Sequence, residues 1–216
     1  MQTATLSTGQ TKFYTQNEEY FHGITHLIGV AFGIFALVLA FFQDSRLRPS
    51  LAVFSITVIV LYAMSATYHL LPEGRAKRVF RIFDHCSIFL LIAGTYTPYC
   101  LLPLSGTSLG TTVLILEWSL AALGILLNAV AMKKRIVRVL SVCAYLAMGW
   151  AIAVGFPTLL SEITAKCFAF LLAGGIAYTV GVPFYALGKR VKYFHSVWHL
   201  FVLAGTGLQF VSILLL

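Results

Sequence analysis

Charged residues are scarce in this chain. Only 10% of its 216 residues are charged, seven of them are acidic, and 59% of the residues are hydrophobic. A soluble domain cannot bury that much apolar surface. The apolar runs also lack the alternation of polar and apolar residues that marks a transmembrane barrel. Backbone groups in lipid must then be satisfied inside helices, so the composition indicates an all-α membrane protein.

Three further absences narrow the interpretation. The start of the chain lacks the basic residues and short apolar region of a secretory signal peptide, so we expect no cleavage. Low-complexity tracts and short-period repeats are also missing, which favours a single domain. The four cysteines lack paired metal-ligand spacing, and we interpret them as small apolar packing residues. They are Cys86, Cys100, Cys143 and Cys167.

Seven apolar runs fill the chain. Runs of about 20 residues are long enough to cross a bilayer as helices. The pattern predicts a seven-transmembrane-helix bundle over residues 18–216, after a polar N-terminal tail at residues 1–17 that we expect to be poorly ordered. The predicted spans are 22–42, 51–71, 85–104, 111–132, 137–156, 164–187 and 195–216.

The basic residues divide unevenly between the two sides of the predicted bundle. Arg46, Arg48 and Lys166 fall on one side, and the other twelve of the 15 fall on the side of the N-terminal tail. The positive-inside rule then predicts a cytoplasmic N-terminus and a C-terminus outside. The net charge of +8 is better explained by this asymmetry, and by contact with anionic lipid headgroups, than by nucleic acid.

All six histidines fall at ends of predicted spans on that cytoplasmic side. His195 and His199 are four residues apart, so they share one helix face with β-carbons roughly 5–6 Å apart. Ionisable groups at the edge of a membrane helix are costly, which favours a functional site. A wet interfacial position remains the alternative. The six are His22, His26, His69, His85, His195 and His199.

His69, at the end of the second predicted span, can meet His195 and His199. Three histidines and a water form a tetrahedral zinc site with an open position, which is typical of catalytic zinc. Asp84 precedes the predicted third span, where it is expected to hold and deprotonate the water or to act as a helix N-cap. Ser65 lies one turn before His69. It is a candidate to hydrogen-bond a substrate carbonyl, the water or a ligand histidine.

Two other polar groups have open interpretations. Glu18, His22 and His26 fit one helix face, where they either line the cavity near the metal or form an amphipathic helix start. Glu117 and Asn128 lie within the fourth predicted span. The sequence does not distinguish whether each of these two side chains is protonated, paired with another group or only structural.

Several short blocks resemble the bacterial haemolysin III family. They include Glu18-Glu19 and residues 25–29 (THLIG), 65–69 (SATYH), 83–86 (FDHC), 91–98 (LIAGTYTP), 147–150 (AMGW) and 195–199 (HSVWH). That family is grouped with the progestin and adiponectin receptors and, more distantly, with alkaline ceramidases. The resemblance implies seven helices, a cytoplasmic N-terminus and zinc on His69, His195 and His199. It also implies that Asp84 contacts the metal through water and that Ser65 lies beside the site.

Three functions are compatible with these residues. The first is a zinc-dependent hydrolase of a lipid amide or ester, ceramidase-like, with Asp84 and Ser65 as catalytic residues. It would act in lipid homeostasis in the bacterial cytoplasmic (inner) membrane, with membrane lipids and a lipid-like small molecule as partners. The second is a non-enzymatic sensor of membrane lipid state, or a receptor-like protein, with structural zinc. The third is a pore-forming haemolysin, which ranks last because polar residues do not line a path across the membrane.

Overall fold

The computed structural model describes residues 14–216. That part of the chain contains helices and no strand, and seven of its helical segments are long and apolar enough to cross a membrane. This confirms the predicted all-α bundle with seven spans. The helices are α1 Gln16–Phe41, α2 Leu47–Leu70, α3 Arg75–Leu101, α4 Ser108–Ala131, α5 Arg135–Trp150, α6 Phe156–Glu162, α7 Ala165–Leu187 and α8 Phe194–Leu214.

A capping box fixes the start of α1. The Thr15 hydroxyl accepts a hydrogen bond from the Glu18 backbone N–H at 3.3 Å, and the Glu18 carboxylate accepts one from the Thr15 N–H at 2.9 Å. Two backbone donors at the helix start are thereby satisfied. The helix therefore includes residues 16 and 17 of the predicted polar tail, and residues 1–13 of that tail lie outside the described residues.

The third helix begins ten residues earlier than its apolar run. Residues 75–84 contain no glycine or proline, so the helix can start at Arg75. These residues are too charged to be recognised from the sequence as part of a membrane span. Asp84 therefore lies inside α3, in its third turn, and not at a helix N-terminus. The N-cap interpretation of Asp84 is wrong.

The fifth span is interrupted in its second half. Helix α5 ends at Trp150, a 3₁₀ turn covers Ala151–Gly155, and α6 follows with Pro157 in its first turn, where the missing proline N–H costs nothing. The Tyr96 hydroxyl accepts from the Ile152 N–H at 2.9 Å and donates to the Met148 carbonyl at 2.6 Å. It thus replaces helical hydrogen bonds that lipid could not supply.

Helices α1, α2, α3 and α8 form the centre of the bundle. Consecutive pairs α1–α2, α2–α3 and α7–α8 pack along their lengths, α8 also packs on α1, and α5 is held only loosely. Glycines allow the closest approaches, because Gly29 faces the Tyr62 ring and Gly94 faces the Thr57 side chain. This arrangement brings the start of α1, the end of α2 and the start of α8 together. We call this region the histidine end.

Candidate metal centre and its cavity

Five histidines from α1, α2 and α8 converge at the histidine end. The ring centroids of His22 and His69 are 4.7 Å apart, those of His69 and His199 are 5.0 Å apart, and those of His195 and His199 are 4.8 Å apart. Buried imidazoles at this density need polar partners. The five are His22, His26, His69, His195 and His199, and all are buried.

Three of these side chains are positioned as a possible metal site. One ligand atom each from His22, His69 and His195 lies within 4.8 Å of the other two. Each of the three rings also has a buried nitrogen without a hydrogen-bond partner among the described residues, namely His22 Nδ1, His69 Nε2 and His195 Nδ1. Such atoms are uncommon in folded proteins, and a bound ion is one of the ways to satisfy them.

The opposite nitrogens of two rings are held by neighbouring side chains. The Glu19 carboxylate lies 2.7 Å from His69 Nδ1 and 3.1 Å from the Lys77 ammonium. The Ser196 hydroxyl lies 2.9 Å from His22 Nε2. A carboxylate or other polar group on the far nitrogen is the usual support of a metal-binding histidine, because it fixes the tautomer and the ring orientation.

His199 lies within the same cluster but faces a different neighbour. Its ring stacks on His26 with centroids 3.7 Å apart and planes 19° apart, and its Nδ1 has no partner among the described residues. The predicted ligand set of His69, His195 and His199 therefore comes together, with His22 added beside it. A metal ligand role for His199 stays a prediction.

Asp84 lies beside the sixth histidine. Its Oδ2 is 3.3 Å from His85 Nδ1, although that nitrogen lies closer to the Arg81 carbonyl, at 2.9 Å, and His85 Nε2 lies 3.2 Å from the Tyr185 hydroxyl. The Ser65 hydroxyl also interacts with the Asp84 carboxylate. The two predicted catalytic side chains are therefore neighbours, although they come from α2 and α3.

An apolar cavity of about 150 Å³ opens beside the histidines. From His199 it reaches Gln209 on α8, a distance of roughly 15 Å at the rise of an α-helix. Its remaining wall is mainly apolar and aromatic and is contributed largely by α3, α5 and α7. Its polar end is formed by His26, Ser65, Asp84, His195 and His199.

Tyr14 covers the cluster from the outer face of the histidine end. Its ring stacks on His195 at 4.9 Å and meets the edge of His22 at 5.1 Å. Burial raises the pKa of the Tyr14 phenol above its usual range. Beside it, Glu18 Oε1 accepts the Tyr193 backbone N–H at 2.8 Å, which ties the start of α1 to the start of α8.

The three residues predicted as possible cavity lining, Glu18, His22 and His26, differ in what they contact. His26 lines the cavity, His22 belongs to the three-histidine group, and Glu18 caps α1 and bonds Tyr193. Glu19 was not among the predicted site residues, although its spacing of three from His22 places both near one face.

Glu117 and Asn128, the two polar side chains noted within the fourth predicted span, have different environments in α4. Asn128 donates to the Ser141 hydroxyl at 2.8 Å and to the Gly124 carbonyl at 2.9 Å, so it links α4 to α5. Glu117 is fully buried, and neither carboxylate oxygen has a hydrogen-bond partner among the described residues.

Comparison with known proteins agrees with this architecture. The chain is 37% identical to Hemolysin-3 homolog of Bacillus subtilis (strain 168) over 206 residues, which cover 93% of this chain and 95% of that protein. It is 38% identical to Hemolysin-3 of Bacillus cereus over 202 residues, or 91% and 90% of the two chains. Human monocyte to macrophage differentiation factor is 24% identical over 166 residues, or 74% and 67%. The family model described as Haemolysin-III related matches residues 14–210, and the chain belongs to that family.

Proposed function

We propose that this multi-pass membrane protein is a zinc-dependent hydrolase that cleaves an amide or ester bond of a lipid. The observation that carries the proposal is the position of the three-histidine group. His195 of this group lines the polar end of a cavity whose other walls are mainly apolar, and the rings of His22 and His69 lie 4.9 Å and 5.5 Å from the His195 ring. A site that combines convergent polar groups with an apolar pocket suits a substrate with a long hydrocarbon part.

The donor set fits zinc. Neutral imidazoles are borderline-soft ligands that zinc accepts in groups of three or four. His69 and His195 belong both to the tightest group and to the set that the family resemblance implies. We assign them as two of the zinc ligands. His22 and His199 are the two candidates for the third ligand. A zinc ion held there would supply a Lewis acid that polarises a carbonyl group and makes a water molecule more acidic.

Asp84 is the proposed general base. It lines the cavity, and His85 and Ser65 are its neighbours there. Asp84 would accept a proton from the attacking water and return it to the leaving amine or alcohol as the C–N or C–O bond breaks. The Ser65 hydroxyl would donate a hydrogen bond to the substrate carbonyl. The products are a carboxylic acid and an amine or alcohol.

The substrate would reach the site from the membrane. Gly149 on α5 is exposed and also lines the cavity, and α5 contacts α7 only sparsely, mainly through the Trp150 indole N–H, which donates to the Thr179 hydroxyl at 3.0 Å. A lipid would enter sideways between these two helices without leaving the bilayer. We place the histidine end on the cytoplasmic side of the bacterial inner membrane, and we assign the protein a role in membrane lipid homeostasis.

Metal content tests the site directly. The full chain is purified in detergent and its zinc measured, beside single alanine variants at His22, His69, His195 and His199. We expect about one zinc per chain, lost in the His69→Ala and His195→Ala variants. Loss in only one of His22→Ala and His199→Ala identifies the third ligand. His85→Ala is the matched control, because the ring nitrogens of this histidine bond the Arg81 carbonyl and the Tyr185 hydroxyl, and its loss should leave the zinc in place. A folded wild type that takes up no zinc overturns the assignment.

A structural zinc is the second candidate, and the fourth histidine favours it. If His22 and His199 both bind, four protein ligands close the coordination sphere, which is typical of structural sites. The protein would then be a sensor of membrane lipid state. Asp84→Asn separates the two functions: it should abolish lipid cleavage and keep the zinc in a hydrolase. In a sensor, the wild type itself shows no cleavage of any lipid amide or ester supplied.

We find no observation that favours a pore, although two relatives carry the name Hemolysin-3.

A further inference from the structure

A second cavity, of about 370 Å³, opens at the histidine end beside the first. Four basic side chains from separate parts of the chain line it. Arg81 comes from α3, Arg135 and Arg138 come from the first turn of α5, and Lys189 follows the end of α7. We call this cavity, defined by these four residues, the basic vestibule.

Positive charge in the basic vestibule exceeds the negative charge of its lining. Among the described residues that line it, the one acid is Asp84, which is already engaged with His85. Lys189 is exposed over part of its surface, but the packing around the rest lowers its pKa to about 8, and repulsion from Arg81 and Arg138 adds to this effect. Cations collected around one space repel each other, and an anion in that space would offset the repulsion.

One of the arginines is held in place before any ligand arrives. Arg138 Nη1 donates to the Met132 carbonyl at 3.2 Å and to the Lys133 carbonyl at 2.7 Å, at the turn between α4 and α5. A guanidinium carries five N–H donors, so further donors remain for a ligand. A guanidinium fixed in this way loses less freedom on binding an oxyanion than a mobile one does.

The basic vestibule adjoins the apolar cavity. The two spaces share lining residues at their junction, including the proposed base Asp84 and the ligand His195. A molecule that filled both would have a hydrocarbon part in one space, its scissile bond near the histidines and an anionic group in the other. General enrichment of basic residues at the cytoplasmic ends of spans explains Arg78 and Arg190, which do not line the vestibule. That general enrichment does not explain why four basic side chains surround one cavity.

We propose that the basic vestibule is a binding subsite for a phosphate group, carried by a lipid headgroup or present as free phosphate. Arginine pairs with phosphate through two parallel hydrogen bonds, and lysine adds a point charge. The subsite would select phosphate-bearing lipids for the neighbouring centre. Calling its ligand a substrate rests on the proposed hydrolase function, whereas phosphate binding itself does not.

The test compares two lipids that differ only in the phosphate. The full chain in detergent micelles is titrated with phosphatidic acid and with diacylglycerol of the same acyl chains, and bound lipid is counted by native mass spectrometry. Inorganic phosphate is added as a competitor. The test variant is Arg81→Gln with Lys189→Gln. The matched control is Arg78→Gln with Arg190→Gln, which removes the same charge from the same end of the bundle outside the vestibule.

We expect the wild type and the control to bind phosphatidic acid at least about tenfold more tightly than diacylglycerol, and the test variant to lose this preference. Competition by inorganic phosphate only at millimolar concentrations identifies the lipid headgroup as the source. Phosphate that binds equally well without the lipid supports the subsite and identifies free phosphate as its ligand. Equal affinity for the two lipids, or an equal loss in test and control variants, overturns the subsite. A retained phosphate preference without cleavage of any lipid counts against the hydrolase and leaves the subsite in place.

Discussion

Glu19 connects three parts of the candidate metal centre. One carboxylate oxygen contacts His69 Nδ1 and the other contacts the Lys77 ammonium, while its own helix also carries His22. Lys77 in turn donates to the His69 carbonyl at 3.2 Å, so the end of α2 is held from two directions. A carboxylate in this position would make the imidazole a stronger ligand, and His69 Nε2, which has no hydrogen-bond partner among the described residues, would be the atom that binds a metal.

Replacement of Glu19 should weaken metal binding without removing a ligand. Glu19→Gln keeps the shape of the side chain but removes the negative charge that supports His69. We expect zinc affinity to fall about 10–100-fold, which is the usual effect of losing such a partner. Competition with a chelator measures it. Glu73→Gln, at an exposed acid near the same end, is the control and should bind zinc as the wild type does. Unchanged affinity in Glu19→Gln would show that the carboxylate does not support the ligand.

Tyr193 has a backbone conformation that is unfavourable for a tyrosine. It is the one non-glycine residue among those described with a positive φ, at 63°, and it precedes the helix that carries His195. The strain is compensated where the Tyr193 N–H bonds Glu18. Its side chain is about half exposed, so the conformation matters here more than the packing.

Two substitutions at Tyr193 should have opposite effects on stability. Tyr193→Gly relieves the left-handed strain and should raise the midpoint of thermal unfolding in detergent. Tyr193→Val adds a β-branched side chain at a position that already costs roughly 1–2 kcal/mol, and it should lower the midpoint. Zinc content measured on the same samples shows whether α8 still presents His195. A lower midpoint for both variants would mean that the tyrosine ring stabilises the turn more than its backbone strains it.

At the scale of whole helices, hydropathy predicted the number and order of the spans but not all of their ends. The apolar runs are continuous because lipid selects them, and each of the seven runs overlaps one of the seven long apolar helical segments. The start of α3 was misplaced because Arg75, Lys77 and Arg81 are good helix formers that lie beyond the hydrocarbon. The break after Trp150 was missed because its cause is the hydroxyl of Tyr96, a residue more than fifty positions away.

The site was predictable where it depends on residue type and spacing within one helix. His195 and His199 one turn apart, or Ser65 and His69, can be recognised in the printed sequence. The contact of Glu19 with His69 depends on the register between α1 and α2. That register is set by close packing such as Gly29 against Tyr62, which no periodicity reveals. For the same reason, the choice between His22 and His199 as third ligand cannot be made from spacing.

The proposed entry route between α5 and α7 can be tested at Gly149. Gly149 lines the cavity, and a β-carbon added there would meet no atom within 4 Å. Gly149→Leu should fold normally but narrow the passage, so that the amount of lipid retained in the cavity falls about tenfold. Quantifying lipid extracted from the purified protein measures this. Gly207→Leu on α8 is the control, since that position also has open space but does not line the cavity. Equal lipid retention in both variants would place the route elsewhere.

The whole molecule concentrates its polar chemistry at one end of the bundle. The histidine cluster, Asp84, the basic vestibule and the polar end of the apolar cavity all lie at the histidine end. The same end carries the excess of basic loop residues. A centre at this level can meet a headgroup and an acyl chain simultaneously, which a site in the middle of the membrane could not.

The charge asymmetry predicts which way this end faces. With twelve of 15 basic residues on the side of the N-terminus, that side should remain in the cytoplasm, because basic loops resist transfer across the membrane. Alkaline phosphatase fused after Leu216 should be active, whereas a green fluorescent protein there should be dark. Fusions in the segment between α7 and α8, at residues 188–193, should give the reverse result and serve as the internal control. The opposite pattern at both positions would place the histidine end outside the cell. The proposed hydrolase would then act on the outer leaflet, and any free phosphate bound in the basic vestibule would come from outside.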